Sequence, residues 1–231
     1  MNVLAIETSG LIGSAAACRD DEVLAEESLD RGMEHGRLLV PLIDRVLTLA
    51  GWDKARDLDL IAVSQGPGSF TGLRVGVTCA KTMAMMLNKP LVGVCSLDAL
   101  AENAPPEHAH VLTVLDARRG QVYAAAYERS AENLKRASGP DVMSPADALA
   151  LLSPPVFAMG DALARYADAF RAPACECAGE ELWRVHARTI ARLGLRAFRE
   201  GAGAEPIALE PLYLRRPEAE EKRLAREQAE S

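Results

Sequence analysis

The chain has 231 residues and a formal net charge of −7, from 26 Lys and Arg against 33 Asp and Glu. Hydrophobic residues make up 49% of the chain and charged residues 26%, values that are typical of folded domains and exclude wholesale disorder. The net negative charge also argues against a protein that binds nucleic acid without a partner protein, because phosphate contacts require a basic face. If the chain serves an RNA, we expect a partner to hold that RNA.

The composition favours a cytoplasmic protein without a membrane span. No apolar run approaches the roughly 20 residues that cross a bilayer. The amino terminus has no basic segment and reaches an acid at Glu7, which is unlike a signal peptide. The five cysteines, among them Cys175 and Cys177, show neither a disulfide framework nor the pattern of a four-ligand zinc site, so we expect free thiols in a reducing compartment.

In the first half of the chain, the apolar pattern predicts a strand meander followed by alternating helices and strands. Apolar residues three and four apart mark the helices, and Gly51 and Pro90 limit two of them. Ser96 is predicted to cap a short helix that begins near Leu97. In chain order we predict strands over residues 3–7, 14–19 and 23–28, a helix over 34–50, a strand over 60–64, a helix over 70–88 and a strand over 91–94.

The second half repeats the theme of the first after a boundary at Ala104, Pro105 and Pro106. The weak internal duplication predicts two similar lobes that face each other, residues 1–105 and 106–200, with residues 201–231 as a carboxyl-terminal segment and charged tail. The elements predicted here are strands over 111–116, 122–127 and 156–159, a helix after Gly160 and Asp161, a helix over 180–199, an apolar anchor at 211–214 and a partly disordered tail over 218–231.

Two acids end corresponding strands in the two predicted lobes, Glu7 in the first and Asp116 in the second. Acids beside glycine turns can hold a metal and phosphates in a cleft between lobes, and Gly160 would lie at the same cleft. The alternative is that both acids cap turns, as Asp commonly does. The sequence leaves the two possibilities open.

A stripe of small residues runs along the helix predicted over residues 70–88. Gly68, Gly72, Gly76, Ala80 and Ala84 lie four apart and therefore on one face of the helix. The preceding glycines do not form a Walker loop, because the Gly-Lys-Ser/Thr ending is missing. Each glycine costs a helix up to about 1 kcal/mol, so close approach of another backbone is expected to compensate. That backbone belongs either to a partner helix or to the chain's own sheet or first helix.

The first helix offers a second candidate for the partner surface. Its apolar residues extend over a broad arc, and we expect that they cannot all face the sheet that receives Leu38 and Leu42. Paired with the small-residue stripe, this helix would expose a flat apolar patch, and Gly76→Glu is expected to abolish association while the fold survives. The predicted partner interface consists of Leu39, Ile43, Val46, Ala50, Gly68, Gly72, Leu73, Gly76, Ala80 and Ala84.

The motifs together resemble the TsaB family over nearly the whole chain. The most specific is the loop GPGSFTGLR followed by a helix that contains AK. The matching segments are ETS at 7–9, LLVPLI at 38–43, GPGSFTGLRVG at 66–76, AKTMA at 80–84, GVCSLDALA at 93–101, DARRGQVY at 116–123, GDA at 160–162 and PLYLRR at 211–216.

The resemblance implies an α/β fold of the actin, Hsp70 and sugar-kinase type, with duplicated mixed-sheet lobes. It further implies a subunit of the bacterial complex that makes threonylcarbamoyladenosine next to the anticodon of tRNA. The implied partners are the catalytic paralogue TsaD and the ATPase TsaE, which use the metal and the ATP, while this chain carries no cofactor of its own. Alone, the chain is expected to form a homodimer through the same two helices, and tRNA is expected to be reached only through the complex.

The resemblance also implies that the chain is not itself an enzyme. In register with the catalytic paralogue, the two metal-binding histidines fall on Ser96 and Leu100, neither of which replaces imidazole on iron or zinc. The first strand ends in Glu7 where the family usually has Asp, which weakens the case for a nucleotide at that turn. The competing hypotheses are an active ATP-dependent transferase of the same superfamily and, with less support, a peptidase.

Overall fold

A computed structural model describes residues 1–29, 35–53, 56–130, 133–203 and 205–215. The first lobe contains five strands, two long helices and a short one. In chain order these are β1 (Asn2–Glu7), β2 (Ser14–Arg19), β3 (Glu22–Ser28), α1 (His35–Leu49), β4 (Leu60–Gly66), α2 (Phe70–Leu87), β5 (Leu91–Cys95) and α3 (Ser96–Ala101).

The second lobe contains a further five strands. Its elements are β6 (His110–Arg118), β7 (Gln121–Ser130), β8 (Asn133–Met143), α4 (Pro145–Leu149), β9 (Val156–Met159), α5 (Ala162–Phe170) and β10 (Cys175–Cys177). A 3-10 turn at Glu180–Leu182, the helix α6 (Ala187–Arg199) and a second 3-10 turn at Pro206–Ala208 follow. The predicted charged tail, residues 218–231, lies outside the described residues.

The two sheets have the same topology. The first has the strand order β3-β2-β1-β4-β5 and the second β10-β9-β6-β7-β8. In each sheet three consecutive strands form an antiparallel meander, and two further strands lie parallel to the first strand of the meander on its other side. The predicted duplication is therefore confirmed, because β6 and β7 repeat β1 and β2, and β9 with α5 repeats β4 with α2. The sequence analysis missed β8, α4 and β10, which are polar, short, or both.

Different elements pack on the two faces of the first sheet. Side chains such as Leu4 and Ile6 pack beneath α1 and α2, while the alternate residues, such as Val3 and Ala5, belong to a core that reaches α3, α6 and the second sheet. Alternation of side chains along a strand produces this division. Glu7, which ends β1, shares the parity of Val3 and Ala5 and therefore lies on their face of the sheet.

The helix α6 lies on the first sheet rather than in the second lobe to which residues 106–200 were assigned. A Cβ on Gly194 would stand 2.6 Å from the Cβ of Ala62 in β4, so the helix backbone lies directly on the strand. The helix predicted over 180–199 is also too long, since residues before Ala187 form only a short 3-10 turn. Among the described residues, no helix is long and apolar enough to cross a membrane.

Candidate functional site: the turn after β1 and the space between the lobes

The turn after β1 uses the carboxylate of Glu7 as an internal cap. The side chain is fully buried, and its Oε1 accepts hydrogen bonds from the backbone N–H of Ser9 at 2.7 Å, the hydroxyl of Ser9 at 2.7 Å and the N–H of Gly10 at 3.1 Å. Burial raises the pKa of Glu7, and these hydrogen bonds oppose the rise. The other oxygen, Oε2, has no hydrogen-bond partner among the described residues. The geometry thus supports the turn-capping alternative.

The small-residue stripe of α2 packs against this same turn. A Cβ added to Gly72 would stand 2.0 Å from the carbonyl oxygen of Thr8, and one added to Gly76 would stand 2.1 Å from the Oγ1 of Thr8. At the start of the helix, the Ser69 N–H donates to the carbonyl of Ser9 at 2.7 Å. The backbone whose close approach compensates for the helical glycines is therefore the chain's own turn.

This packing overturns the predicted partner interface at most of its residues. Gly72, Leu73, Gly76, Ala80 and Ala84 are buried in the first lobe. Gly68 is half-buried, and a Cβ there would lie 2.4 Å from the carbonyl oxygen of Ser9. No partner helix can approach a face that the chain itself already fills.

The apolar face of α1 is likewise turned inward. Leu39, Ile43 and Val46 are buried together with Leu42 in one core beneath the sheet, and Ala50 is partly buried at its edge. At about 100° per residue, positions 39 to 47 on this face cover an arc of about 140°, which a single sheet and a neighbouring helix can bury. The prediction that this broad arc would leave Leu39, Ile43 and Val46 as an exposed apolar patch was wrong, because all three are buried in the core that the sheet and α2 form with α1.

What α1 and α2 leave exposed is a different set of residues. On α2 the outward positions are Thr71, Arg74, Thr78, Thr82 and Met85, all exposed. On α1, Val40 is 63% exposed. Gly36 lies one turn before Val40, and a Cβ there would meet the Cγ2 of Val75 at 4.0 Å, so Val40 lies on the side of α1 that faces α2. The outer surface of the helix pair is therefore mixed in character.

In the second lobe, Asp116 organises the turn between β6 and β7. Its carboxylate accepts hydrogen bonds from the N–H of Arg118 at 2.8 Å and the hydroxyl of Tyr166 at 3.2 Å. The guanidinium groups of Arg118 and Arg165 lie 3.3 and 3.7 Å from it. As with Glu7, the hydrogen bonds within its own turn support the capping alternative for this acid.

Gly160, the third residue predicted at the cleft, lies beside Leu100 of α3. A Cβ on Gly160 would lie 2.1 Å from the carbonyl oxygen of Val114 and 3.2 Å from Cδ2 of Leu100, and its φ of +124° requires glycine. Leu100 is fully buried in the core that joins the two sheets.

Ser96, the other position in register with a metal-binding histidine of the catalytic paralogue, is also buried. It is the first residue of α3 rather than its cap, since Cys95 occupies the N-cap position, and its Oγ has no hydrogen-bond partner among the described residues. In the part of the chain that the structure describes, no three His, Cys, Asp or Glu side chains are grouped so that they could hold a metal ion. That the chain binds no metal stays a prediction.

The segment over residues 205–215, here called the carboxyl-terminal strap, crosses the first lobe and reaches the second. Lys81 of α2 donates to the carbonyls of Ile207 and Leu209, both at 2.9 Å. Further along, the backbone N–H of Leu212 donates to the carbonyl of Gln65 at 2.7 Å, and the side chain of Arg215 donates to the carbonyl of Ala117 at 2.8 Å. Only the apolar anchor at 211–214 gave a sequence signal for this strap.

Comparison with known proteins places these features in a family. The family model TsaD, described as tRNA N6-adenosine threonylcarbamoyltransferase, matches residues 30–222. The tRNA threonylcarbamoyladenosine biosynthesis protein TsaB of Bacillus subtilis is 40% identical over 129 residues, which are 55% of this chain and 56% of that protein. An uncharacterized protein of Mycobacterium tuberculosis is 35% identical over 229 residues, 94% of this chain and 93% of its own.

Solved structures show the same likeness over the whole fold. YeaZ from Pseudomonas aeruginosa superposes with a TM-score of 0.79 at 25% identity, covering 92% of this chain and 99% of that one. TsaB of Escherichia coli is 36% identical over 131 residues, again 56% of its length. The chain thus aligns with about half the length of these two TsaB relatives.

Proposed function

The chain belongs to the TsaD family, as a member of the TsaB/YeaZ type, and on that premise we propose that it is a non-catalytic subunit of the machinery that makes threonylcarbamoyladenosine in tRNA. The resemblance to the TsaB family and the predicted two-lobed α/β fold are confirmed by these similarities. The activity, substrate and partners of the complex come to this chain as proposals.

The observation that carries the proposal is the burial of two positions at which the resemblance places functional groups in related proteins. Leu100, which is in register with a metal-binding histidine of the catalytic paralogue, is buried, and Glu7, the acid that would face a nucleotide, is buried under its own turn. A buried apolar side chain offers no lone pair to a metal, and a fully buried carboxylate offers no surface to a phosphate. Both features favour a binding role over chemistry.

The partner surface is proposed on the outer face of α1 and α2, with different residues from those first predicted. Exposed large hydrophobic residues on these helices include Val40, on the side of α1 that faces α2, and Met85 and Met86 on α2. Exposed apolar side chains beside small polar ones such as Thr78 and Thr82 suit a helix-on-helix contact. The proposed occupant is the matching helix pair of a TsaD-like catalytic paralogue, or a second copy of this chain when that partner is absent.

In this scheme the chain contributes no cofactor chemistry. ATP and metal are used by the TsaD-like subunit and a TsaE-like ATPase, and the whole assembly works in the cytoplasm. The contribution of this chain is to hold the catalytic paralogue in its active arrangement.

Reconstitution tests the proposal. The TsaD-like and TsaE-like proteins of the same organism are combined with unmodified tRNA, ATP and the threonylcarbamoyl donor system, and modified nucleoside is measured by mass spectrometry with and without this chain. We expect product only when the chain is present, and none from the chain alone. Product made by the chain alone would establish an enzyme and overturn the proposal.

The surface is tested separately by a charge placed on it. Thr82→Arg puts a long cation on an exposed position of α2, where it should spare the fold and reduce co-purification with the catalytic paralogue at least tenfold, since an unpaired charge at an interface core is costly. The matched control is Ala169→Arg on an exposed position of α5 in the other lobe. Equal co-purification of both variants would place the partner elsewhere.

A further inference from the structure

Two of the cysteines lie two residues apart on the outermost strand of the second sheet. Cys175 and Cys177 are the first and last residues of β10, which pairs with β9 at the edge of the sheet. The parallel register sets them opposite Val156 and Ala158, whose side chains belong to the core that α4 and α5 share with this sheet. Because side chains two apart on a strand point to the same side, both thiols lie on the face that carries this core.

The two thiols are in contact and can be reached from solvent. The side chains of Cys175 and Cys177 are hydrogen-bonded to each other, and the Cys177 thiol also donates to the carbonyl of Phe170 at 3.9 Å. Cys175 is half-buried against the core, while Cys177 is exposed. Both cysteines are free of disulfide bonds. The pair therefore offers two sulfur atoms on one side of an accessible strand.

The surroundings of the pair disfavour two free thiolates and favour a cation. Burial raises the pKa of Cys175 to about 11, and it also raises the pKa of Cys177. The Phe170 carbonyl belongs to the last residue of α5, so the negative end of that helix lies beside Cys177. A bound cation would offset both effects, because it reduces the negative charge that two thiolates would otherwise concentrate at this end of the helix.

The spacing of the pair suits a metal ion between the sulfurs better than a direct sulfur–sulfur bond. A strand rises about 3.3 Å per residue, which separates the two Cα atoms by about 6.6 Å. This is close to the upper limit of about 6.8 Å for disulfides, most of which have Cα atoms about 5.5–6 Å apart. Two metal–sulfur bonds of about 2.3 Å in a line set the sulfurs about 4.6 Å apart, a span that fits side chains on one face of a strand.

We propose that Cys175 and Cys177 together bind one Cu(I) ion as a pair of thiolates. Soft thiolate ligands select soft ions such as Cu(I), whereas a structural zinc ion takes four ligands. Within the described ranges, no group of three His, Cys, Asp or Glu side chains could hold a metal ion, so the pair has only its two sulfurs to offer. Binding forms two copper–sulfur bonds, releases the two thiol protons and leaves the oxidation state of copper unchanged. The site then carries one negative charge, and Arg171 is close enough to favour negative charge on Cys177.

This proposal goes beyond the proposed function, which does not use the edge of the second sheet. The prediction that the chain binds no metal was argued from Ser96 and Leu100 and from the missing four-ligand zinc pattern, so it did not consider an ion that two sulfurs satisfy. Co-purification with the catalytic paralogue should be the same with and without the two thiols. The two proposals can therefore fail separately.

Competition with bathocuproine disulfonate, a chelator that is coloured when it holds Cu(I), tests the site on the full chain under anaerobic conditions. The unmodified chain should take one Cu(I) per chain from the chelator. Cys175→Ser and Cys177→Ser should each lower the affinity more than about a hundredfold, because loss of even an outer-shell partner of a metal site costs about 10- to 100-fold. The matched control is Cys79→Ser, which removes another partly buried thiol, in α2 of the first lobe, and should leave the affinity unchanged.

Circular dichroism establishes that each variant is folded before its affinity is compared. If Cys175→Ser or Cys177→Ser keeps the affinity of the unmodified chain, or if Cys79→Ser loses as much, the pair is not the site. X-ray absorption at the copper edge should show two sulfur neighbours and no nitrogen or oxygen, and any further neighbour would contradict a site of two thiolates. Zn(II) should be lost when the chain is desalted in the presence of EDTA. Zn(II) that is retained at one per chain through the same two cysteines would overturn the assignment to Cu(I).

Discussion

Gly76→Ala tests which backbone the small-residue stripe serves. The new Cβ would stand 2.1 Å from the Oγ1 of Thr8, where ordinary contacts begin at 3.4 Å, so the helix and the turn must separate by more than an ångström or Thr8 must rotate. In open space the same substitution would stabilise the helix by up to about 1 kcal/mol. We therefore expect the contact with Thr8 to determine the sign of the change in stability.

The magnitude depends on whether the opposing atom can move. Overpacking of a tight contact costs about 1–3 kcal/mol, and the hydroxyl of Thr8, which has no hydrogen-bond partner among the described residues, can rotate to relieve part of it. At Gly72 the opposing atom is the Thr8 carbonyl at 2.0 Å, which is part of the backbone and cannot rotate away. Gly72→Ala should accordingly destabilise the fold more than Gly76→Ala does.

Urea denaturation followed by circular dichroism measures both changes in the free energy of unfolding. Gly36→Ala is the matched control, because it lies in α1 with its nearest neighbour at 4.0 Å and should be neutral or stabilising. In melting temperature, Gly76→Ala should lose about 2–12 °C in a domain of this size. A neutral or stabilising Gly76→Ala would refute the internal packing and restore the stripe as a partner surface. The charged variant Gly76→Glu is expected to unfold the chain rather than to give a folded, unpaired subunit.

Three further substitutions test the turn after β1, the strap, and the contact between α3 and the second sheet. Burial raises the pKa of Glu7, so the folded state keeps a proton that the unfolded state releases. The free energy of unfolding therefore falls as the pH rises from about 4.5 to the pKa of Glu7 in the folded state. Glu7→Gln should reduce this fall in denaturation curves measured across pH 4–8. Lys81→Met removes the donor to two carbonyls of the strap and should lower the free energy of unfolding by about 1 kcal/mol. It should also make the strap more susceptible to limited proteolysis. Unchanged cleavage would show that Lys81 does not hold the strap. Asp98→Asn weakens the hydrogen bonds that Asp98 makes with Tyr127 and Arg136 between α3 and the second sheet, and should lower the free energy of unfolding by about 1 kcal/mol. An unchanged free energy of unfolding would show that these hydrogen bonds are dispensable.

The sequence predicts most of the fold because the duplicated strands carry strong local signals. The strand over 156–159 matches β9 residue for residue, and the helix over 70–88 ends within one residue of α2. What escaped prediction is weakly patterned: β8 has mostly exposed and half-buried residues, and β10 has three residues. Such strands exist because a neighbour provides a ladder of hydrogen bonds, which composition does not reveal.

The candidate site was predicted in composition but not in arrangement. Glu7, Asp116 and Gly160 do lie at the ends of strands or in the turns after them, as expected. Periodicity states which residues share a helix face, but not what lies opposite that face, so the stripe on α2 fitted a partner helix and the chain's own turn equally well.

The packing of the turn after β1 bears on the binding role proposed for this chain. An open cleft needs polar groups that are left unsatisfied until a ligand arrives, and such groups cost stability. In this chain the Glu7 carboxylate is used to cap its own turn, Leu100 covers Gly160, and the glycines of α2 bring the helix onto that turn. Two of these contacts fix the turn and α2 within the first lobe, and the third joins α3 to the second lobe. A chain packed in this way can present a fixed outer surface to a partner, which is the property that the proposed function requires.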